Sequence, residues 1–195
     1  HEVDRLPMYG MRRWGDVFNA RQRLALLVFA EGVRRAYRLM VEQGADAEFA
    51  RAVATYLGLA MDMMAAFCNT LARWENTSEA IKQVFSRQAL PMLWDFAELN
   101  PLSGSTGSWK AGWEYYLKVL DHLCTIPSVE TPPKALHGTA TDLPYPDNHF
   151  DVLFTDPPYY DNVNYAVLSD FFYVWLKRTI SDLHPDLFAT PLTPK

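Results

Sequence analysis

Cysteine is scarce in this chain. The only two, Cys68 and Cys124, lie far apart, with no Cys-x-x-Cys pair and no histidine at metal-ligand spacing. That pattern argues against a zinc site built from these residues and predicts two reduced, buried thiols. Long hydrophobic runs are also missing. No unbroken apolar stretch reaches transmembrane length and no signal-peptide pattern occurs, so a soluble, cytoplasmic protein with no membrane partner is expected. Cations are absent from Ala135 to Leu176, where Asp142, Asp147, Asp151, Asp156, Asp161 and Asp170 accumulate. The net charge of −5 does not favour nucleic-acid binding by the chain as a whole.

Apolar residues make up 49% of the 195, enough for a sizeable core. The acidic balance is uneven. Arg5, Arg12, Arg13, Arg21, Arg23, Arg34, Arg35 and Arg38 make the first 43 residues net basic. They form either a backbone-tracking face for nucleic acid or an ordinary solvated helix. The chain starts at His1 and stops at Lys195 after a proline-rich stretch, which reads as a piece cut from a longer protein, with the remainder of the parent missing.

Helical spacing dominates the first two-thirds. Asn19 and Gln22 resemble a capping box ahead of Leu24, Leu27, Val28, Val33, Tyr37 and Met40, with Gly44 as the stop. Asp46 can cap a second helix whose stripe runs through Phe49, Val53, Leu57, Ala60, Met64, Cys68, Leu71 and Trp74. Shorter helices are expected over 78–89 and 91–97, then a flexible stretch over 100–108, then a helix from Trp109 to Leu123. The proline-rich stretch 125–134 is the best internal boundary. It divides a mainly helical region, 1–130, from a segment 131–195 of different pattern. There, Ala135-Leu-His-Gly138 reads as a short strand and Phe150-Asp-Val-Leu-Phe-Thr155 as a buried strand. The latter runs straight into Asp156-Pro157-Pro158-Tyr159, where two prolines force a strand to end. An aromatic-rich helix, 166–178, follows.

The segment Asp142-Leu-Pro-Tyr-Pro-Asp-Asn-His-Phe-Asp-Val-Leu-Phe-Thr-Asp-Pro-Pro-Tyr-Tyr-Asp161 resembles the fourth-strand region of amino-methyltransferases that use S-adenosylmethionine. Chance alone gives Asp-Pro-Pro-Tyr in a chain of this length roughly one time in a thousand. A narrower resemblance extends over Trp14-Gly-Asp-Val-Phe-Asn19, over 85–101 and over 156–195. It is to prokaryotic adenine-specific DNA methylases that carry a zinc ribbon. The resemblance implies an α/β, helix-rich fold: a partial Rossmann-like parallel sheet carrying the catalytic loop, with a large helical excursion before it. It further implies transfer of a methyl group from S-adenosylmethionine to the N6 amine of adenine in DNA.

The chemistry explains the motif. The exocyclic amine is a poor nucleophile because its lone pair is delocalised into the ring. Accepting its two N–H hydrogens in a non-planar geometry localises that pair and lowers the barrier. The resemblance makes Asp156 one acceptor, the carbonyl of Pro157 the other, Pro158 a rigid hinge and Tyr159 a ring on which a flipped base stacks. Tyr160, Asn162 and Asn164 are substrate-binding candidates, although the asparagines could equally serve the turn. Cofactor contacts fall to Thr139, Asp142 and Asp156. Thr139 stands where the family places an acid, and no Gly-x-Gly loop follows a strand. Cytosine-N4 methylation by the same geometry, or a non-catalytic nucleic-acid-binding or interaction module, are the alternatives.

Overall fold

The computed structural model describes residues 6–85, 89–127, 133–136, 138–157, 163 and 165–193. Its body is built from four helices: α1 (Ala20–Glu42), α2 (Ala47–Phe67), α3 (Trp109–Cys124) and α4 (Tyr165–Ile180). Single 3₁₀ turns lie at Leu6–Tyr9, Trp14–Val17 and Pro185–Phe188.

Local chemistry starts and stops these helices as the sequence indicates. The Asn19 side chain accepts from the Gln22 amide and the Gln22 side chain accepts from the Asn19 amide, each at 2.9 Å, a reciprocal capping box. Gly44 takes φ +86°, the left-handed turn that lets the chain leave α1 and enter α2. Asp46 caps α2 through the Phe49 amide at 2.9 Å, and Ser108 caps α3 through the Ala111 amide at 3.3 Å.

The second helix is the inner one. It packs against α1, α3 and α4, and its Ala50, Ala54, Ala60, Met61, Met64 and Ala65 are fully buried. Small residues let its neighbours approach closely. A Cβ added at Gly112 of α3 would lie 3.1 Å from the Ala60 carbonyl oxygen, and one added at Gly58 would lie 3.1 Å from Ile180 of α4. An aromatic cluster closes the end of the body around Phe171. Phe18 stacks on it at 5.7 Å, and Trp14 and Phe85 meet it edge-on at 6.2 and 5.0 Å. On the surface, Arg34 of α1 donates to the Arg178 carbonyl and pairs with Asp182 at 2.8 Å, tying α1 to the end of α4.

Six expectations need correction. The partial Rossmann-like parallel sheet is absent among the described residues. The sheet found there is a two-stranded antiparallel hairpin, β1 (Arg73–Glu75) with β2 (Ala80–Lys82), in which Trp74 faces Ile81. The expected strand over 150–155 has no ladder partner and stays irregular, with Val152, Leu153 and Phe154 exposed. The first expected strand, at 135–138, is likewise irregular where described. A β-strand is stable only when a neighbour accepts its N–H groups and covers one face, and here the apolar surface of the body is satisfied by helices.

The stripe on α2 stops at Phe67 instead of running to Trp74. Asn69 there donates to the carbonyls of Ala65 and Ala66 and accepts from the Leu71 amide, turning the chain into β1. The expected helix over 78–89 gives way to β2, because Glu79 adopts φ +46° in the hairpin turn, outside helical space. The expected helix over 91–97 is an open stretch anchored by the Ala97 amide on the Ala72 carbonyl at 2.8 Å.

Candidate functional site

The motif begins in the irregular run 150–157, and α4 begins at Tyr165. Asp156 and Pro157 are both exposed. Pro158, Tyr159, Tyr160, Asn162 and Asn164 lie outside the described residues. Immediately before this run, a small local structure is held by its own contacts. Thr139 and Asp142 form an isolated bridge, and the Thr139 and Thr141 hydroxyls are 2.9 Å apart. Further on, the Tyr145 ring stacks on His149 at 4.8 Å, and Phe150 meets both edge-on at the same distance. Asn148 turns the chain at φ +60°, a conformation asparagine tolerates better than most residues. Among the described residues, the hydrogen bonds and ring contacts of 139–157 are made within that stretch.

Thr139, Asp142 and Asp156 are all exposed, so the described residues bring the three proposed cofactor contacts to the surface without enclosing an adenosyl group. Among the described residues no group of histidine, cysteine, aspartate and glutamate is gathered that could hold a metal ion. Cys68 is buried, and burial followed by the nearby Glu98 charge pushes its thiol up to about 11. Cys124 is exposed, which corrects the expectation of two buried thiols. No helix among the described residues is long and apolar enough to cross a membrane.

The arginines of the basic N-terminal stretch divide into two groups. Arg21 pairs with Glu98 at 2.7 Å, Arg34 with Asp182, and Arg38 with Glu31 at 2.6 Å. Glu98 is held below the usual carboxylate range by its hydrogen bonds from Arg21 and then Asn19. Arg12, Arg13, Arg23 and Arg35 make no ion pair among the described residues.

Two features escaped the sequence. Asp62 sits on the inner helix at 5% exposure, its Oδ1 without a hydrogen-bond partner, and desolvation pushes its carboxyl well above the ordinary range. A lone acid inside Leu57-Gly-Leu-Ala-Met-Asp-Met-Met-Ala-Ala66 was the signal for it. A cleft between α1 and α4, walled by Trp14, Phe18 and Trp175, was not legible, because its residues come from three separate elements.

No family model matches the chain, and no curated protein or solved structure matches it.

Proposed function

We propose that this chain carries the acceptor loop of a DNA amino-methyltransferase, with adenine N6 as the methylated atom and S-adenosylmethionine as the methyl donor. The observation that carries this reading is Asp156-Pro157-Pro158-Tyr159, placed after an apolar run and ahead of α4. Its support in three dimensions is accessibility. Asp156 and Pro157 stand open to solvent, where a base extruded from a duplex could reach them. The Asp156 carboxylate accepts one amine hydrogen and the Pro157 carbonyl the other, drawing the nitrogen toward tetrahedral geometry. Tyr159 supplies the stacking face. Thr139, Asp142 and Asp156 do not by themselves enclose the donor, so these residues account for activation of the amine and not for donor binding.

DNA isolated from cells producing the protein tests the reading. N6-methyladenine is expected above background with the full-length protein and at background with its Asp156→Ala variant, at equal protein levels and equal retention on a duplex-DNA column. Equal methylation by both proteins, or none by either, overturns it. N4-methylcytosine in place of N6-methyladenine selects the other base.

A further inference from the structure

We propose that Tyr9 and Trp94, with Arg12, Arg13, Arg23 and Arg178 ranged about Trp14, form a surface that grips single-stranded DNA, the arginines taking its phosphates and the rings its bases.

Trp94 is 83% exposed and Tyr9 48%. The two rings meet with centroids 6.2 Å apart and planes at 85°. At that exposure at least one face of the Trp94 indole lies open to another flat group. Large aromatic rings gain by burial, so two that touch each other outside the core mark a surface for a partner.

The arginines follow at once. The Leu6–Tyr9 turn is closed by the Gly10 amide on the Pro7 carbonyl and the Met11 amide on the Leu6 carbonyl, each at 3.2 Å. Arg12 is three residues on from Tyr9, so their Cα atoms lie at most about 11 Å apart. Arg12 and Arg13 line a cleft together with Trp14, and Trp14 also walls the cleft that Arg23 and Arg178 line. Four arginines therefore flank one tryptophan. All four are exposed, and none of their side chains is in an ion pair among the described residues.

The acids nearby leave these charges open. Asp16 accepts from the backbone amides of Arg12 and Arg13, at 2.9 Å each, and not from their guanidinium groups. Asp170 lines the first cleft but is 3% exposed and accepts from the Thr193 amide at 2.9 Å. Asp95, beside Trp94 in sequence and exposed, favours phosphates at the arginines over phosphates at the rings.

Guanidinium groups are donors only, and several left unpaired together call for a polyanion. Open ring faces call for flat groups free to stack. A duplex hides its base faces inside the stack, whereas a single strand offers phosphates and bare bases along the same chain. The choice of DNA over RNA alone rests on the methyl-transfer reading.

The test is fluorescence anisotropy of a labelled oligothymidylate of about 12 residues with the full-length protein, over a range of salt concentrations and without any methyl donor. Binding is expected, with an affinity that falls with salt at a logarithmic slope of at least about 2.8, from roughly 0.7 per phosphate held. The double variants Arg12→Gln/Arg13→Gln and Arg23→Gln/Arg178→Gln are each expected to lower that slope by about 1.4. Trp94→Ala is expected to weaken binding by about fivefold or more at every salt concentration and to leave the slope unchanged, a separation that loss of folding would not produce. No binding at low salt, or an unchanged slope in both double variants, overturns the proposal. So does tighter binding of the matching duplex or of oligouridylate. Dextran sulfate competing as well, charge for charge, also overturns it, since the surface would then take any polyanion. Because binding is read without methylation, its failure and the failure of the methyl-transfer reading are separate results.

Discussion

Phe171, on α4, is 1% exposed and touches the rings of Trp14, Phe18, Phe85 and Phe172. Phe154, in the run that leads to that helix, is 92% exposed. The same residue type does opposite things in neighbouring stretches. The helical body is organised by contacts distant in sequence: α1, α2 and α4 bury one another, and the 3₁₀ turns add Trp14 and Val17. The stretch 139–157 is organised by neighbours in sequence, through the Thr139–Asp142 bridge and the rings of Tyr145, His149 and Phe150. Its chemical signature is nevertheless the strongest in the chain. Packing and the proposed chemistry therefore fall on different residues, and a change in one region should leave the other readable.

The largest effect that would sharpen this contrast is Phe171→Ala. Removing the centre of the aromatic cluster is expected to cost about 3–5 kcal/mol in urea unfolding, the usual range for a buried phenylalanine. A loss under about 1 kcal/mol would mean the cluster is not tightly packed.

Next comes Gly107→Ala. Gly107 has φ +82°, and an added Cβ would fall 2.5 Å from the Phe67 ring. Both the left-handed backbone and the crowded ring oppose a side chain, so a loss of about 1–3 kcal/mol is expected by the same measurement.

Asp62 gives a pH-dependent test of the body. Its carboxyl holds a proton more tightly when buried than in the unfolded chain, whose ordinary value is 3.8. The folded state therefore binds the proton preferentially. Its contribution is fully present below that value and is lost progressively as pH rises above it. Asp62→Asn is expected to flatten this slope, because the amide does not ionise, so that the variant gains on the native protein as pH rises. Identical slopes for the two proteins between pH 4 and pH 8, both conditions being set by the experimenter, would place Asp62 in contact with water.

The smallest effect belongs to the stretch 139–157. Phe154→Ser is expected to change unfolding free energy by less than about 0.5 kcal/mol, as for a surface site. A loss of a few kcal/mol would break the comparison by showing that Phe154 is covered in solution.

Much of the body was legible in the sequence because helix ends are local events. Asn19 with Gln22, Gly44, Asp46 and the apolar spacing after Trp109 each act within one or two turns, and each bounds a helix where expected. The strands were not legible. The run 150–155 has the composition of a buried strand, yet strand formation is decided by a partner's backbone, which composition does not contain. Trp74 extended the stripe of α2 by spacing alone, but the side-chain bonds of Asn69 end the helix first. Of the candidate site, Thr139, Asp142, Asp156 and Pro157 fall in one exposed stretch, and the remaining motif residues lie outside the described ones. Trp175 and Asp62 were hidden for another reason. A buried group without a partner is a property of three-dimensional surroundings, and only Asp62, a lone acid in an apolar run, left a mark in the sequence.

The run 150–157 has one more consequence, for the protein as a substrate of proteases. An exposed, irregular stretch can enter a protease cleft in the extended form such enzymes require, whereas the flanking helix cannot without unwinding. A single cut there would free no fragment at once. Phe171, Trp175 and Ile180 remain buried in the body, and Arg34 still grips the end of α4. The molecule would persist as two interlocked pieces, whole by size in native buffer and divided only after denaturation.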